Sequence, residues 1–554
     1  MEEARQSIIE FLKKETGIDN IDIEIPPNSE MGDYAFPCFH LAKVFKKNPN
    51  EIAKELSEKF RSNEFLSEAK ALGPYLNFFI NKSELAESTL RMIMKLRDRY
   101  GSSGEGKNKK FLVEHTSINP NAPPHVGRAR NAIIGDSVVR ILRFQGYKVD
   151  VHYFVNDVGK QIAMLVLGAR KKKKVDFNSL LEIYIGINKK AEENPEIEKD
   201  VLEILNRLEK GDKKIRHEFK KIVDVCIRGQ RGILAELGIK YNYFDYESKY
   251  LWNKKTEEVI KKIEKTGKLF LDGYNRWVLD QKGYGLGMEM PVLVLTRNDG
   301  TSLYPLRDIA YTLEKLKSGE NIIILGEDQK LYFEQISCVL KELELKPFRA
   351  VHYSFVLLQE GKMSTRKGNL VLLEDFMKEA VKKASIEIKK RHNKSSSKAA
   401  KAIGYGALKY GILKVSPEKS VMFDWEQALS FEGDTAPYMQ YAYARIKSIL
   451  HKKKIQPSEK NFADKLGTKE DMDIIKHLSI FPAVVKKATD ELRPHLIANY
   501  SYSLAQKFNE YYHIHQILKS DEKTTKARII LISCIAYVIE NSLGLLGIEV
   551  LDKM

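Results

Sequence analysis

The sequence predicts an α/β fold: a parallel sheet split by an insertion, with a small α+β unit before it and an all-α bundle after it. Three observations carry the prediction. Strand, helix and strand follow one another at FLVEHTS (111–117), Gly127–Phe144 and KVDVHYFV (148–155), the βαβ unit of a parallel sheet. Strand-like runs return at VLVLT (292–296), NIIIL (321–325) and VHYSFVLL (351–358), beyond a Lys/Glu-rich helical stretch from about 158 to 265. From the polar run RHNKSSSKAAK (391–401), read as a hinge or exposed turn, to Met554 the pattern is almost wholly helical and rich in tyrosine.

Taken in order, residues 1–105 form the first unit. MEEARQSIIEFLKKETG sets Ile8/Ile9 and Phe11/Leu12 at helical spacing, which reads as an amphipathic helix and not a secretory signal. IDIEI (21–25) and YLNFFI (75–80) are expected strands. GSSGEGKNKK (101–110) is a linker by composition. Its GSSGEGKN nearly matches a phosphate-binding loop. Asn108 replaces the hydroxyl that would hold magnesium, however, and the segment precedes a strand where such a loop follows one. Residues 106–385 then form a Rossmann-type sheet domain with an insertion at about 158–290. Ile134, Val138, Ile141 and Leu142 give its first helix one apolar face. RKKKK (170–174) reads as a solvated helix end, and GYGLG (283–287) as a loop, since no helix follows it. Residues 386–554 are the helical bundle. Its longest apolar stretch, Ile529–Ile539, falls short of the roughly 20 residues of a membrane span and is expected as a buried core helix.

Composition bounds the function. The 554 residues include 92 Lys+Arg and 75 Asp+Glu, a net charge of +17, which favours a polyanionic partner. A charged fraction of 30% beside 43% hydrophobic residues excludes global disorder. Cys38, Cys226, Cys338 and Cys534 are scattered with no CxxC pair, which argues against a disulfide framework or a Cys-based zinc site and for a reducing, cytoplasmic setting.

Two loops carry chemistry. PPHVGR (123–128) sits between the first strand of the βαβ unit and its helix, at the carboxyl end of the sheet where ligands bind. His125 can donate to a phosphate oxygen, Gly127 admits a ligand to the backbone, and the helix start offers unpaired N–H groups. Alone, such a histidine is more often structural. KMSTRKGN (362–369) follows VHYSFVLL and gathers Lys362, Arg366 and Lys367 beside Ser364 and Gly368. It suits a phosphate clamp, or by itself a solvated basic loop. Tyr304 and Asp308 stand four apart, on one face of a helix opening near Leu306. Without further context Asp308 reads equally as a helix cap or as the partner of Arg307.

Together, HVGR and KMSTRKGN resemble the HIGH and KMSKS signatures of class I aminoacyl-tRNA synthetases. VEHTSINPNAPPHVGRARNAIIGD (113–136), YFVNDVGKQ (153–161), FDYES (244–248), YPLRDIAYT (304–312), LGEDQKLYFEQ (325–335), FDWEQALSFEGDTAPYMQYAYARI (423–446) and the ending GLLGIEVLDKM (544–554) are similar to the arginyl-tRNA synthetase family, in an archaeal-like form. One departure is Arg128, where the family usually has His. The resemblance implies ATP-dependent ligation of L-arginine to arginine tRNA through an arginyl-adenylate. ATP enters with Mg2+ as substrate, no cofactor or metal is permanently bound, and the protein is a monomer without membrane attachment. It implies that His125, Lys362 and Arg128 stabilise phosphates, that Gly127, Met363 and Ser364 complete the ATP site, and that Glu114 binds the amino group of arginine. Asp308 and Tyr304 would face its side chain, with Ser117, Asn119 and Gln329 helping to hold it. The first domain would meet the tRNA elbow. In the helical bundle Tyr438, Gln440, Tyr441 and Arg445 would meet the anticodon, although their i, i+3, i+4 spacing fits packing as well. The alternatives are a catalytically decayed tRNA-binding paralogue, favoured by Arg128 alone, and a class I synthetase for another amino acid.

Overall fold

The computed structural model describes residues 1–170, 172–358, 371–392, 396–452 and 462–553. Its first unit packs the helices Glu2–Thr16, Pro49–Lys59 and Lys82–Leu96 with an antiparallel sheet in which Tyr75–Ile80 runs between Tyr34–Pro37 and Leu66–Leu72. The expected strand at 21–25 is absent: only Glu24 pairs with the sheet, exchanging backbone hydrogen bonds of 2.9 Å with Ala35. Pro26 and Pro27 follow at once, and without N–H groups they cannot continue a ladder. Residues 101–108 are turns joining this unit to the next. They are pinned by a Lys486–Glu105 ion pair at 2.9 Å and by Ser103 Oγ, which donates to Gln145 at 2.6 Å.

Five parallel strands make the central sheet: β1 (Lys110–Thr116), β2 (Lys148–Val155), β3 (Tyr243–Tyr246), β4 (Glu320–Gly326) and β5 (Arg349–Tyr353). They lie in the spatial order β3-β2-β1-β4-β5. The direction of winding reverses between β1 and β4, which opens a crevice at their carboxyl ends. Helix α1 (Val126–Phe144) crosses from β1 to β2 and buries Ile134, Val138, Ile141 and Leu142 to within 2% exposure, each stabilising the fold by about 1.5–3 kcal/mol. Gly135 sets its distance from the sheet: a side chain there would occupy the space of the His115 ring on β1.

Three expectations change here. The helical run from 158 contains Lys160–Ala169, Ser179–Glu193, Glu196–Glu209 and α2 (Lys213–Glu236), but the chain then returns to the sheet as β3, a strand of four residues too short to show a period. VLVLT does not join that sheet. Val292–Val294 pairs antiparallel with Trp277–Asp280, which also pairs with Leu269–Leu271, because short loops can close antiparallel neighbours without a crossover. VHYSFVLL is two strands: β5 ends at Tyr353, and Val356–Leu358 pairs instead with Val421–Phe423 from the C-terminal side. The charged run behaves as expected at Arg170, which ends its helix and pairs with Glu218 at 2.8 Å; Lys171 lies outside the described residues.

Helix α3 (Tyr304–Leu316) precedes β4, and Leu373–His392 and Ser397–Leu413 lead into the C-terminal helices. The first of these runs through the boundary expected at 385/386. Ser396 caps the second by accepting from Ala399 N–H at 3.0 Å; residues 393–395 of the expected hinge lie outside the described residues. Then come α4 (Ala436–Lys452), Lys469–Ser479, Phe481–Glu491, α5 (His495–Ile514) and α6 (Glu522–Leu545). In length and composition α6 is apolar enough to cross a membrane, but Ile529–Ile532, Cys534, Ile535, Val538 and Ile539 are buried in the core, as expected for this stretch. The C-terminal segment docks on α1, where Ser137 Oγ donates to Leu545 O at 2.9 Å, and on the helix Ser397–Leu413, from which Lys409 Nζ donates to Gly547 O.

Candidate active site

A cleft of about 630 Å³ occupies the crevice between β1 and β4. Glu114, Ser117 and Asn119 reach it from β1 and the turn after it, and His125, Gly127 and Arg128 from the start of α1. Tyr304 and Asp308 enter from α3, and Gln329 from the turn after β4. Residues far apart in the chain therefore meet at the carboxyl edge of the sheet.

The phosphate side is built on α1. His125 is its N-terminal cap residue. Burial first, then the Arg128 guanidinium, depresses its imidazole to about 4, so at neutral pH the ring is uncharged. Its buried Nδ1 has no hydrogen-bond partner among the described residues. An anionic ligand would supply that partner and favour the protonated ring. Arg128 lines the same cleft. Lys362, Met363 and Ser364, with Arg366 and Lys367, lie outside the described residues. The chain on either side of them is fixed at this site: Phe355 and Val356 line the cleft, Val126 N–H donates to Val371 O at 3.2 Å, and Leu373 N–H to Pro124 O at 2.8 Å. Arg130, which no sequence motif marks, clamps this region. Its fully buried guanidinium donates to the carbonyls of Ser354 (2.6 Å), Phe355 (3.2 Å) and Lys419 (2.7 Å). Desolvation lowers its value to about 10.

The opposite side is crowded with carboxylates. Arg307 does not pair with its neighbour Asp308; its Nε donates to Glu247 at 2.7 Å, and both side chains are buried. Burial nevertheless outweighs Arg307 and pushes Glu247 up to about 7. Asp308 keeps one side-chain hydrogen bond, from the Tyr332 hydroxyl, and among the described residues no cation lies within ion-pair distance of it. Desolvation, with Glu114 nearby, pushes its carboxyl up to about 6. Glu114 is not free: the buried Lys315 ammonium pairs with it and also lies 4.0 Å from the Tyr311 ring centroid. Tyr311 in turn donates to Asp245 at 2.6 Å, and His152 Nδ1 lies 2.6 Å from the same Asp245 oxygen. Lys315, Tyr311, Tyr332 and Glu247 are not among the residues to which the sequence motifs point. For Tyr311 and Lys315 a signal existed, three and seven residues beyond Asp308 on one helix face. For Glu247 and Tyr332 there was none, because they come from other elements.

Asn119 Nδ2 donates to Gln161 at 3.0 Å, Tyr304 is exposed with its ring 5.1 Å from that of Tyr332, and Gln329 is exposed beside Asp328. In the C-terminal bundle Gln440 is fully buried. Its amide donates to Ala402 O (3.1 Å) and Glu549 O (2.7 Å), so it ties α4 to the chain end and cannot reach an RNA base without unfolding. Tyr438, Tyr441 and Arg445 are part-exposed on α4. Arg445 lies over the rings of Tyr441 (4.8 Å) and Tyr512 (5.0 Å), and Tyr438 meets Tyr502 of α5 at 5.8 Å. Among the described residues, no group of three or more His, Cys, Asp or Glu side chains could hold a metal ion.

A five-stranded parallel sheet in this order, with a histidine turn at its switch point and an acidic pocket facing it, is the core of a class I aminoacyl-tRNA synthetase. Family comparison agrees segment by segment: residues 90–425 match "tRNA synthetases class I (R), catalytic domain", 439–554 the "DALR anticodon binding domain", and 2–80 the "Arginyl tRNA synthetase N terminal domain". The chain belongs to the arginyl-tRNA synthetase family. It is 40% identical to an arginine–tRNA ligase of Methanocaldococcus jannaschii over 97% of this chain and 96% of that one. To one of Clostridium perfringens it is 37% identical over 97% of each. Its fold superimposes on Thermus thermophilus arginyl-tRNA synthetase with a TM-score of 0.85 and 26% identity, covering 99% of this chain and 100% of that one.

Proposed function

We propose that the protein charges arginine tRNA with L-arginine in two steps. The arginine carboxylate attacks the α-phosphorus of ATP, displacing pyrophosphate, and a ribose hydroxyl at the tRNA 3′ end then takes the arginyl group and releases AMP. Asp308 carries the substrate assignment. An ionisable carboxyl with no cationic partner is costly in a protein wall unless the ligand brings the cation, and a guanidinium does so with a planar fork of donors. With Glu114 already matched by Lys315 and Glu247 by Arg307, one net negative charge faces the side-chain pocket, as a monocation requires. Tyr304 and Tyr332 wall it, Glu114 accepts from the α-ammonium, and Ser117, Asn119 and Gln329 orient the remainder. On the other side His125, Arg128 and Gly127, with Lys362, Met363 and Ser364 of the second signature loop, take the triphosphate, which enters with Mg2+ as substrate. Catalysis by positioning and charge stabilisation needs no protein nucleophile. The part-exposed Tyr438, Tyr441 and Arg445 are suited to stack on unpaired anticodon bases, and residues 1–105 to meet the tRNA elbow. A monomer in the cytoplasm completes the reading. Its test is aminoacylation of total tRNA with ATP, magnesium and each amino acid in turn: charging with arginine alone supports it, and tight tRNA binding without charging by any amino acid overturns it.

A further inference from the structure

The turn that carries Asn119 into the cleft wall is held from behind by two glutamines of the inserted helices. Gln230 of α2 is fully buried. Its Nε2 donates to Asn119 O (3.1 Å) and Ala122 O (2.9 Å), while its Oε1 accepts from the Tyr153 hydroxyl at 2.7 Å. Asn121 N–H also donates to Asn119 O, at 2.8 Å. The main chain at Asn119 is therefore fixed, and what stays open is which end of its side-chain amide faces the cleft. Gln161 decides that. It is the second residue of the helix Lys160–Ala169, which opens after Gly159 at φ +150°, a conformation that favours glycine. Its Oε1 accepts from Asn119 Nδ2 and from Asn121 Nδ2, both at 3.0 Å. Asn119 lines the cleft, and Gln161 stands behind it. The two arms of a planar amide diverge, so a nitrogen engaged behind the wall turns Oδ1 away from Gln161 and toward the ligand.

An oxygen in that place suits a substrate N–H donor. Glu114 is already matched by Lys315, so an α-ammonium, which carries several donors, calls for a neutral acceptor beside that carboxylate. An amide nitrogen there would oppose it. We propose that Gln161 is a positioning residue that makes the cleft selective for a free α-ammonium, by holding the Asn119 side-chain oxygen toward the ligand; the proposal rests on the synthetase reading above and deepens it. The test uses the full chain with ATP and arginine tRNA. It compares the KM for arginine with the inhibition constant of 5-guanidinopentanoic acid, which keeps the guanidinium and carboxylate and has hydrogen in place of the ammonium. Gln161→Lys offers donors only, so Asn119 must turn its oxygen back toward it. The KM for arginine should rise about 10- to 100-fold, as for one lost hydrogen bond to a charged group, while the inhibition constant of the analogue and the KM for ATP stay unchanged. Gln161→Glu still accepts from both asparagines and should keep the parent's preference for arginine over the analogue. In an Asn119→Leu background, which has no oxygen to aim, Gln161→Lys should add no further loss. Equal losses for arginine and the analogue would reduce Gln161 to a support for the turn and overturn the proposal. So would an undiminished effect of Gln161→Lys in the Asn119→Leu background, which would be repulsion by the new charge. Loss of the preference in Gln161→Glu and its retention in Gln161→Lys would also overturn it, because the Asn119 nitrogen would then face the ligand. Failure of the parent to charge tRNA with arginine would sink the synthetase reading and this proposal together, whereas the other failures leave that reading intact.

Discussion

Replacing Asp308 by Asn should make the protein more stable and less active. Burial moves this carboxyl from 3.8 to about 6, which opposes its charged form by about 3 kcal/mol, at about 1.4 kcal/mol per pH unit. Because the folded value lies above the unfolded one, ionisation works against folding. Below pH 3.8 both states hold the proton and the group has no effect, the cost develops between 3.8 and about 6, and above about 6 it is complete. The amide introduced by Asp308→Asn never ionises and can still accept from Tyr332. The variant should therefore be stabilised by up to about 3 kcal/mol at pH 7.5 and by about half that at pH 5, read as a shift in denaturant midpoint at the two pH values. Arginine then loses its counter-charge. A partly open ion pair deprived of one partner costs about 3 kcal/mol, or about 150-fold in kcat/KM for arginine, with the KM for ATP unchanged. In the parent enzyme kcat/KM for arginine should fall as pH drops below about 6, when the free enzyme protonates Asp308. An unchanged midpoint together with an unchanged kcat/KM for arginine would remove Asp308 from the pocket and with it the basis for the substrate assignment.

Lys315→Met should raise the KM for arginine and destabilise the protein by about 3–5 kcal/mol, because Glu114 is left as an unpaired buried charge. Adding Glu114→Gln should return stability without returning arginine binding; a double variant no more stable than the single one would show that the pair is not the cause. Arg128→Ala should slow arginine-dependent pyrophosphate exchange while Arg128→His retains most of it, and equal losses would give Arg128 a role other than meeting phosphate. Gly135→Ala gains about 1 kcal/mol of helix propensity but forces a methyl into the His115 side chain. Overpacking of about 1–3 kcal/mol or more decides the sign, so the unfolding midpoint should fall.

Periodicity and the two signature turns are local properties, and local properties were legible. The helix from Gly127 to Phe144, the strands at 75–80, 111–117, 148–155 and 321–325, and the buried run 529–539 all stand where apolar spacing put them. Glu114, Ser117, Asn119, Tyr304, Asp308 and Gln329, which only the family resemblance pointed to, line one cleft. Strand partnership was not legible. Val292–Val294 and Val356–Leu358 look like sheet strands from their composition, but which edge accepts them depends on loop length and on which edges are already taken. Gln440 shows the same limit on a helix: its spacing allowed a presented face or a packed one, and only the arrival of Glu549 from the chain terminus buried it. Charge pairing is the clearest case. Nothing in YPLRDIAYT says that Arg307 reaches Glu247, that Lys315 neutralises Glu114, or that Asp308 meets no cation among the described residues. Those partners are set by the packing of α3 against β1 and the chain beyond β3. The chemistry available was written along the chain; which carboxylate remained uncompensated for a substrate to meet was decided when distant segments desolvated one another.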